Sequence, residues 1–90
     1  MGTSAVQYRL MPENLDIDLK ELTKKAKAKI EEMGGKFAAS EEQPIAFGLK
    51  ALLISLAYPE AKDIDELGNE LEKIEGVSSL EMVDYRRALG

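Results

Sequence analysis

Carboxylates and lysines are the chemically capable side chains of this sequence, because its 90 residues include neither cysteine nor histidine. Disulfides, thiolate nucleophiles, imidazole acid–base catalysis and nearly all zinc sites are thereby excluded. Carboxylate or lysine catalysis and a Mg²⁺ site built from oxygens survive that test, but no spacing of acidic residues points to either. Lys20, Lys24, Lys25, Lys27 and Lys29 fall in one stretch, interspersed with acidic residues, as on a solvated helix face. The expectation is a protein that uses no cofactor and is not an enzyme in the covalent sense.

Recognition is the chemistry that remains. In Gln43-Pro44-Ile45-Ala46-Phe47-Gly48-Leu49-Lys50 a proline, a phenylalanine and a glycine sit together among aliphatic residues. In one reading Pro44 and Gly48 shape a β-hairpin connection while Ile45 and Phe47 enter the core. In the other, Ile45 and Phe47 form an apolar wedge for a partner surface, and Gly48 lets another backbone approach closely.

The elements that position this stretch follow from hydrophobic periodicity. Ala5 to Met11 alternates, with Val6, Tyr8 and Leu10 on one side and Gln7 and Arg9 on the other, as in a half-buried strand that Pro12 ends. Asp18 followed by Glu21 resembles a capping box, and Leu19, Leu22, Ala26, Ile30 and Met33 keep helical spacing up to a stop at Gly34-Gly35. Lys36 to Ser40 reads as a short second strand, and Glu41 to Pro44 as a loop. Phe47 to Tyr58 carries the strongest strand signal, apolar on both faces and therefore central.

After Pro59, Asp63 caps a second amphipathic helix to Ile74, with Gly76 as its stop. Gly68 inside that helix costs roughly 1 kcal/mol against Ala, which suggests close contact with the sheet. Val77 to Arg87 reads as a last strand, Leu80 and Met82 inward, Glu81, Val83 and Tyr85 outward. The order is β-α-β-β-α-β, an α+β, ferredoxin-like sandwich. Its four-stranded antiparallel sheet takes the order 4-1-3-2, with two helices on one face. Residues 1–90 are expected to form a single domain.

Charge and composition narrow the functions this fold can host. A net charge of −5 and a pI near 4.7 argue against direct nucleic-acid binding, which rests on clustered Lys and Arg. The aromatics of the central strands, Tyr8 and Tyr58, are expected to face the core rather than a stacking platform. An acyl-phosphate hydrolase would need a glycine-rich anion loop where this chain has Pro12-Glu13-Asn14-Leu15-Asp16, whose carboxylates repel phosphate. A regulatory or assembly module that binds a small molecule or pairs through its sheet stays open, motivated by Leu49, Leu53, Val83 and Tyr85 as an outward apolar patch. The longest apolar stretch, Leu52 to Ala57, is too short to span a bilayer, so no membrane partner and a cytoplasmic location are expected.

Four segments, read together and in order, resemble the guanine-nucleotide-exchange domain of the translation elongation factor 1-beta family, in its archaeal type. They are Met11-Pro12-Glu13 with Asp16-Ile17-Asp18-Leu19; Pro44-Ile45-Ala46-Phe47-Gly48-Leu49-Lys50-Ala51-Leu52; Ile74-Glu75-Gly76-Val77-Ser78-Ser79-Leu80-Glu81; and Asp84-Tyr85-Arg86-Arg87. The resemblance implies a factor that promotes GDP release and GTP rebinding on elongation factor 1-alpha, the GTPase that delivers aminoacyl-tRNA to the ribosome. It also implies that Phe47 is a candidate wedge, with Pro44 and Ile45 holding its loop, Lys50 a charged contact, and Gly48 beside it in the partner-binding stretch. Eukaryotic members use a lysine near the C-terminus, directed at the Mg²⁺ and phosphate region. Here Ala88-Leu89-Gly90 has none, which leaves Arg86 or Arg87 as the candidate positive charge. The free protein is expected to be a monomer.

Overall fold

A computed structural model describes residues 2–87 of the chain; Ala88-Leu89-Gly90, where the resemblance departs from its eukaryotic members, lies outside the described residues. The elements are β1 (Thr3–Pro12), α1 (Leu19–Glu32), β2 (Lys36–Pro44), β3 (Lys50–Pro59), α2 (Ile64–Glu72) and β4 (Val77–Arg87). They form one antiparallel sheet in the order β2-β3-β1-β4, which is the expected 4-1-3-2 read from the other edge. Among the described residues no helix is long and apolar enough to cross a membrane.

The period-2 patterns of the central strands decide which face is covered. Val6, Tyr8 and Leu10 of β1 and Leu52, Ile54, Leu56 and Tyr58 of β3 are buried, and meet Leu22, Ala26 and Ile30 of α1 and Leu67 and Leu71 of α2. Each fully buried Leu or Ile here contributes about 1.5–3 kcal/mol of transfer free energy. Asp18 caps α1 by accepting from the Lys20 N–H at 2.9 Å, and Asp63 caps α2 by accepting from Asp65 N–H at 2.9 Å. Past the end of α1, Gly34 takes a φ of 96°, and Lys62 Nζ donates to the Met33 carbonyl at 2.7 Å, a cation placed at the negative helix end. Gly68 does sit where α2 meets the sheet: a Cβ there would lie 3.4 Å from the Tyr8 hydroxyl.

Three boundaries or faces differ from the sequence reading. Strand β2 runs on through Glu41 to Pro44, expected as loop, and pairs with β3 as far as Pro44↔Lys50. An edge strand tolerates this proline because one side of its backbone needs no ladder partner. Strand β3 begins at Lys50 instead of Phe47, because the chain is still turning at Phe47 and Gly48. In β4 a register shift falls where Gln7↔Asp84 gives way to Tyr8↔Met82. The extra residue, Val83, reverses the alternation beyond it. Tyr85 therefore pairs with buried Val6 on the helix side, where its hydroxyl accepts from Ser4 Oγ at 3.0 Å although the residue stays 39% exposed.

Candidate functional site

The β2–β3 connection is a tight hairpin tip. Ile45 N–H donates to the Leu49 carbonyl at 2.9 Å, and Leu49 N–H donates to the Ala46 carbonyl at 2.9 Å. The residues between, Phe47 and Gly48, have φ of 55° and 80°, the pair of positive values that defines a type I′ turn and suits the twist of the strands it joins. Glycine occupies this conformation freely; for phenylalanine it costs about 1–2 kcal/mol. Phe47 is nonetheless 95% exposed, and Ile45 48%. The core placement weighed for these residues is not what the fold contains. A bulky apolar ring is held out in solvent at a strained position, and strain of this kind collects at functional sites.

A second loop stands beside the tip. Between β1 and α1, the Asn14 side chain accepts from Asp16 N–H at 2.9 Å, and Glu13 N–H donates to the Gly76 carbonyl at 2.9 Å. These bonds fix a turn that raises Leu15, 64% exposed. Its Cδ2 lies 3.7 Å from where a Cβ on Gly48 would be, so Leu15 borders the hairpin tip. Between loop and hairpin runs an open groove of about 320 Å³, lined among others by Leu15, Asp18, Leu19, Glu42, Leu49 and Lys50. Lys50 Nζ is 3.5 Å from Glu42 Oε1 across the hairpin. Leu15 was not singled out from the sequence, although a lone leucine among Glu13, Asn14 and Asp16 has no helical or strand partner to explain it.

The remaining candidates lie elsewhere. Pro44, Ile45, Phe47, Gly48 and Lys50 cluster at one end of the sheet, whereas Arg86 and Arg87 pair with Ala5 and Ser4 at the other. Register places Ser4 opposite Tyr58 and Pro44 opposite Lys50, so the two groups stand more than about 20 Å apart at ~3.3 Å per residue. The arginines also project to opposite faces. Arg86 Nε lies 3.2 Å from Asp84 Oδ2, and Arg87 Nε 3.9 Å from Glu60 Oε1.

The open face of the sheet, away from the helices, offers neither a stacking platform nor the expected apolar patch. Of the four residues expected to make that patch, Val83 is exposed, but Leu53 is half-buried, Leu49 lines the tip groove, and Tyr85, like Tyr8 and Tyr58, lies on the helix side. Arg9 and Glu81 instead form an ion pair at 2.7 Å. Burial pushes the Tyr8 hydroxyl up to about 12, helped by the nearby Asp65 charge, and it donates to the Ile64 carbonyl at 3.3 Å.

The fold recurs in solved structures of low sequence identity. The ACT domain from the GTP pyrophosphokinase of Chlorobium tepidum superposes with a TM-score of 0.62 at 15% identity, covering 88% of this chain and 96% of that one. Sequence relatives are closer. Elongation factor 1-beta of Archaeoglobus fulgidus is 41% identical over 85 residues, 93% of this chain and 96% of that protein. Elongation factor 1-beta of Methanothermobacter thermautotrophicus is 39% identical over 90 residues, 99% and 100% of the two chains. Residues 5–88 match the family described as EF-1 guanine nucleotide exchange domain, and this chain belongs to that family.

Proposed function

We propose that this chain promotes GDP release from elongation factor 1-alpha, and that the hairpin tip carrying Phe47 is one of the surfaces with which it holds that GTPase. Membership of the exchange-domain family supports the role in translation elongation. The observation that carries the site is Phe47, 95% exposed at a φ of 55°. An exposed aromatic on a hydrogen-bonded turn has its backbone ordered before a partner covers it, and aromatic anchors of this kind carry a large share of binding energies.

The action is a binding equilibrium with no bond made or broken. The factor prefers the GTPase with its nucleotide site distorted, so it lowers GDP affinity, and by linkage bound GDP lowers the affinity for the factor by the same ratio. GTP then refills the empty site and displaces the factor. On this reading the protein works in the cytoplasm as a free monomer, with Pro44, Ile45, Gly48 and Lys50 shaping the tip and Arg86 and Arg87 forming a separate, weaker contact.

The test is release of a fluorescent GDP analogue from elongation factor 1-alpha. The wild-type chain at micromolar concentration is expected to accelerate release, and no acceleration overturns the proposal. Phe47→Ala is expected to slow exchange by roughly 10-fold or more, the loss of about 1.4 kcal/mol or more that marks a binding anchor, while melting at an unchanged or higher temperature. A lower melting temperature with unchanged exchange would assign Phe47 to stability instead.

A further inference from the structure

Leu15 is as conspicuous as Phe47, and the established family role does not account for it. It is 64% exposed on a loop fixed by the Asn14 side chain and by the Glu13–Gly76 backbone bond, so its exposure is built in by local hydrogen bonds. It borders the Gly48 turn, whose absent Cβ would stand 3.7 Å away. Two loops from distant parts of the sequence thus bring Leu15, Ile45 and Phe47, all exposed, to one end of the molecule. The groove between these loops is rimmed by acid. Asp18 and Glu42 line it, Asp16 adjoins Leu15 in sequence, and the lysine partner there, Lys50, is already matched to Glu42.

We propose that Leu15 and Phe47 form one two-pronged apolar anchor, and that the groove beside Leu15, lined on the hairpin side by Gly48, Leu49 and Lys50, receives a lysine or arginine of the partner protein. This rests on the exchange-factor reading and names the partner's chemistry at that site: two neighbouring apolar recesses with a basic side chain beside the one that takes Leu15. A long cationic side chain lays its aliphatic stem along Leu15 and Leu49 and sets its charge beside Asp16 and Asp18, the acids that Lys50 leaves unmatched. The pairing of charge gives encounter rate and register, and the two apolar prongs give residence time.

The experiment measures GDP-analogue release from elongation factor 1-alpha against factor concentration, at two ionic strengths, for wild type, Leu15→Ala, Leu15→Met, Asp16→Asn, Phe47→Ala and Leu15→Ala/Phe47→Ala. Leu15→Ala is expected to raise the half-maximal concentration roughly 5- to 10-fold with unchanged melting temperature, and Leu15→Met to restore most of it, because an exposed anchor acts through buried area in the complex. The double variant is expected to lose less than the product of the single losses, as neighbouring groups in one anchor do. Asp16→Asn should raise the half-maximal concentration at low salt and leave it unchanged at high salt. If wild type accelerates release and Phe47→Ala slows it while Leu15→Ala matches wild type, the two-pronged anchor is overturned and the exchange reading stands. Strictly multiplicative losses in the double variant also overturn it. An Asp16→Asn effect independent of salt overturns the basic occupant. If wild type itself releases no GDP, the exchange reading fails and this inference with it.

Discussion

Phe47 occupies a backbone conformation that its side chain disfavours and an environment that its ring disfavours, and both features follow from its place at the centre of a two-residue turn. With φ of 55° at Phe47 and 80° at Gly48, the preferred sequence would be Asn-Gly. Phe47→Asn is therefore expected to stabilise the protein by about 1 kcal/mol, which for a domain of this size raises Tm by roughly 4–8 °C, while slowing exchange as severely as Phe47→Ala. A thermal melt and a GDP-release assay on the same sample check both halves. A fall in Tm would mean that the ring contributes packing to the free protein, against its 95% exposure. On the proposed reading, stability and function are set against each other at this one residue, as expected where strain is retained for binding.

At the scale of elements, the contact between α2 and the sheet turns on Tyr8. Its hydroxyl donates to the Ile64 carbonyl at 3.3 Å beneath Gly68. The folded chain keeps that proton to about pH 12, whereas an unfolded tyrosine loses it near 10.0. Between these values the unfolded chain binds fewer protons, so stability is full below pH 10 and is lost as pH rises through the window, by about 2–3 kcal/mol in all. Tyr8→Phe gives up one hydrogen bond, about 1 kcal/mol at neutral pH, but has no such loss. The variant should be less stable at pH 8 and more stable above roughly pH 11 by urea unfolding. Tyr58, also raised by burial, titrates in both proteins and cancels. Parallel curves would remove the coupling. That Tyr8 faces the helices was legible from strict alternation in β1, and the closeness of Gly68 from the cost of a glycine inside a helix. The change of sheet face at Tyr85 was not, because a single inserted residue, Val83, moves the side chains beyond it to the other face without altering composition. The tail of β2 was hidden by Pro44, which reads as a breaker until the strand is known to be an edge. Pro44 and Gly48 were legible as shaping a hairpin connection, whereas Phe47 read as the start of β3, and Leu15 joins the tip only through tertiary placement.

Over the whole molecule, 42 Å in its longest extent, the candidate contacts separate into two ends. The hairpin tip and the Leu15 loop share one; Arg86 and Arg87 lie at the other, exposed and matched to Asp84 and Glu60. Exposed pairs of this kind contribute about 0–1 kcal/mol, so Arg86→Ala/Arg87→Ala is expected to leave melting nearly unchanged and to slow GDP release only about 2- to 5-fold. Salt should erase most of that loss. Groups more than about 10 Å apart without shared partners add in free energy, and here strand register separates them by more than about 20 Å. Combining the arginine changes with Phe47→Ala should therefore multiply the two losses to within about a factor of two, in contrast to the less-than-multiplicative pair at the tip. Strong coupling between the ends would require the GTPase to close on both together, so that releasing one end releases the other, and the two-ended description would give way to a single continuous interface along the sheet.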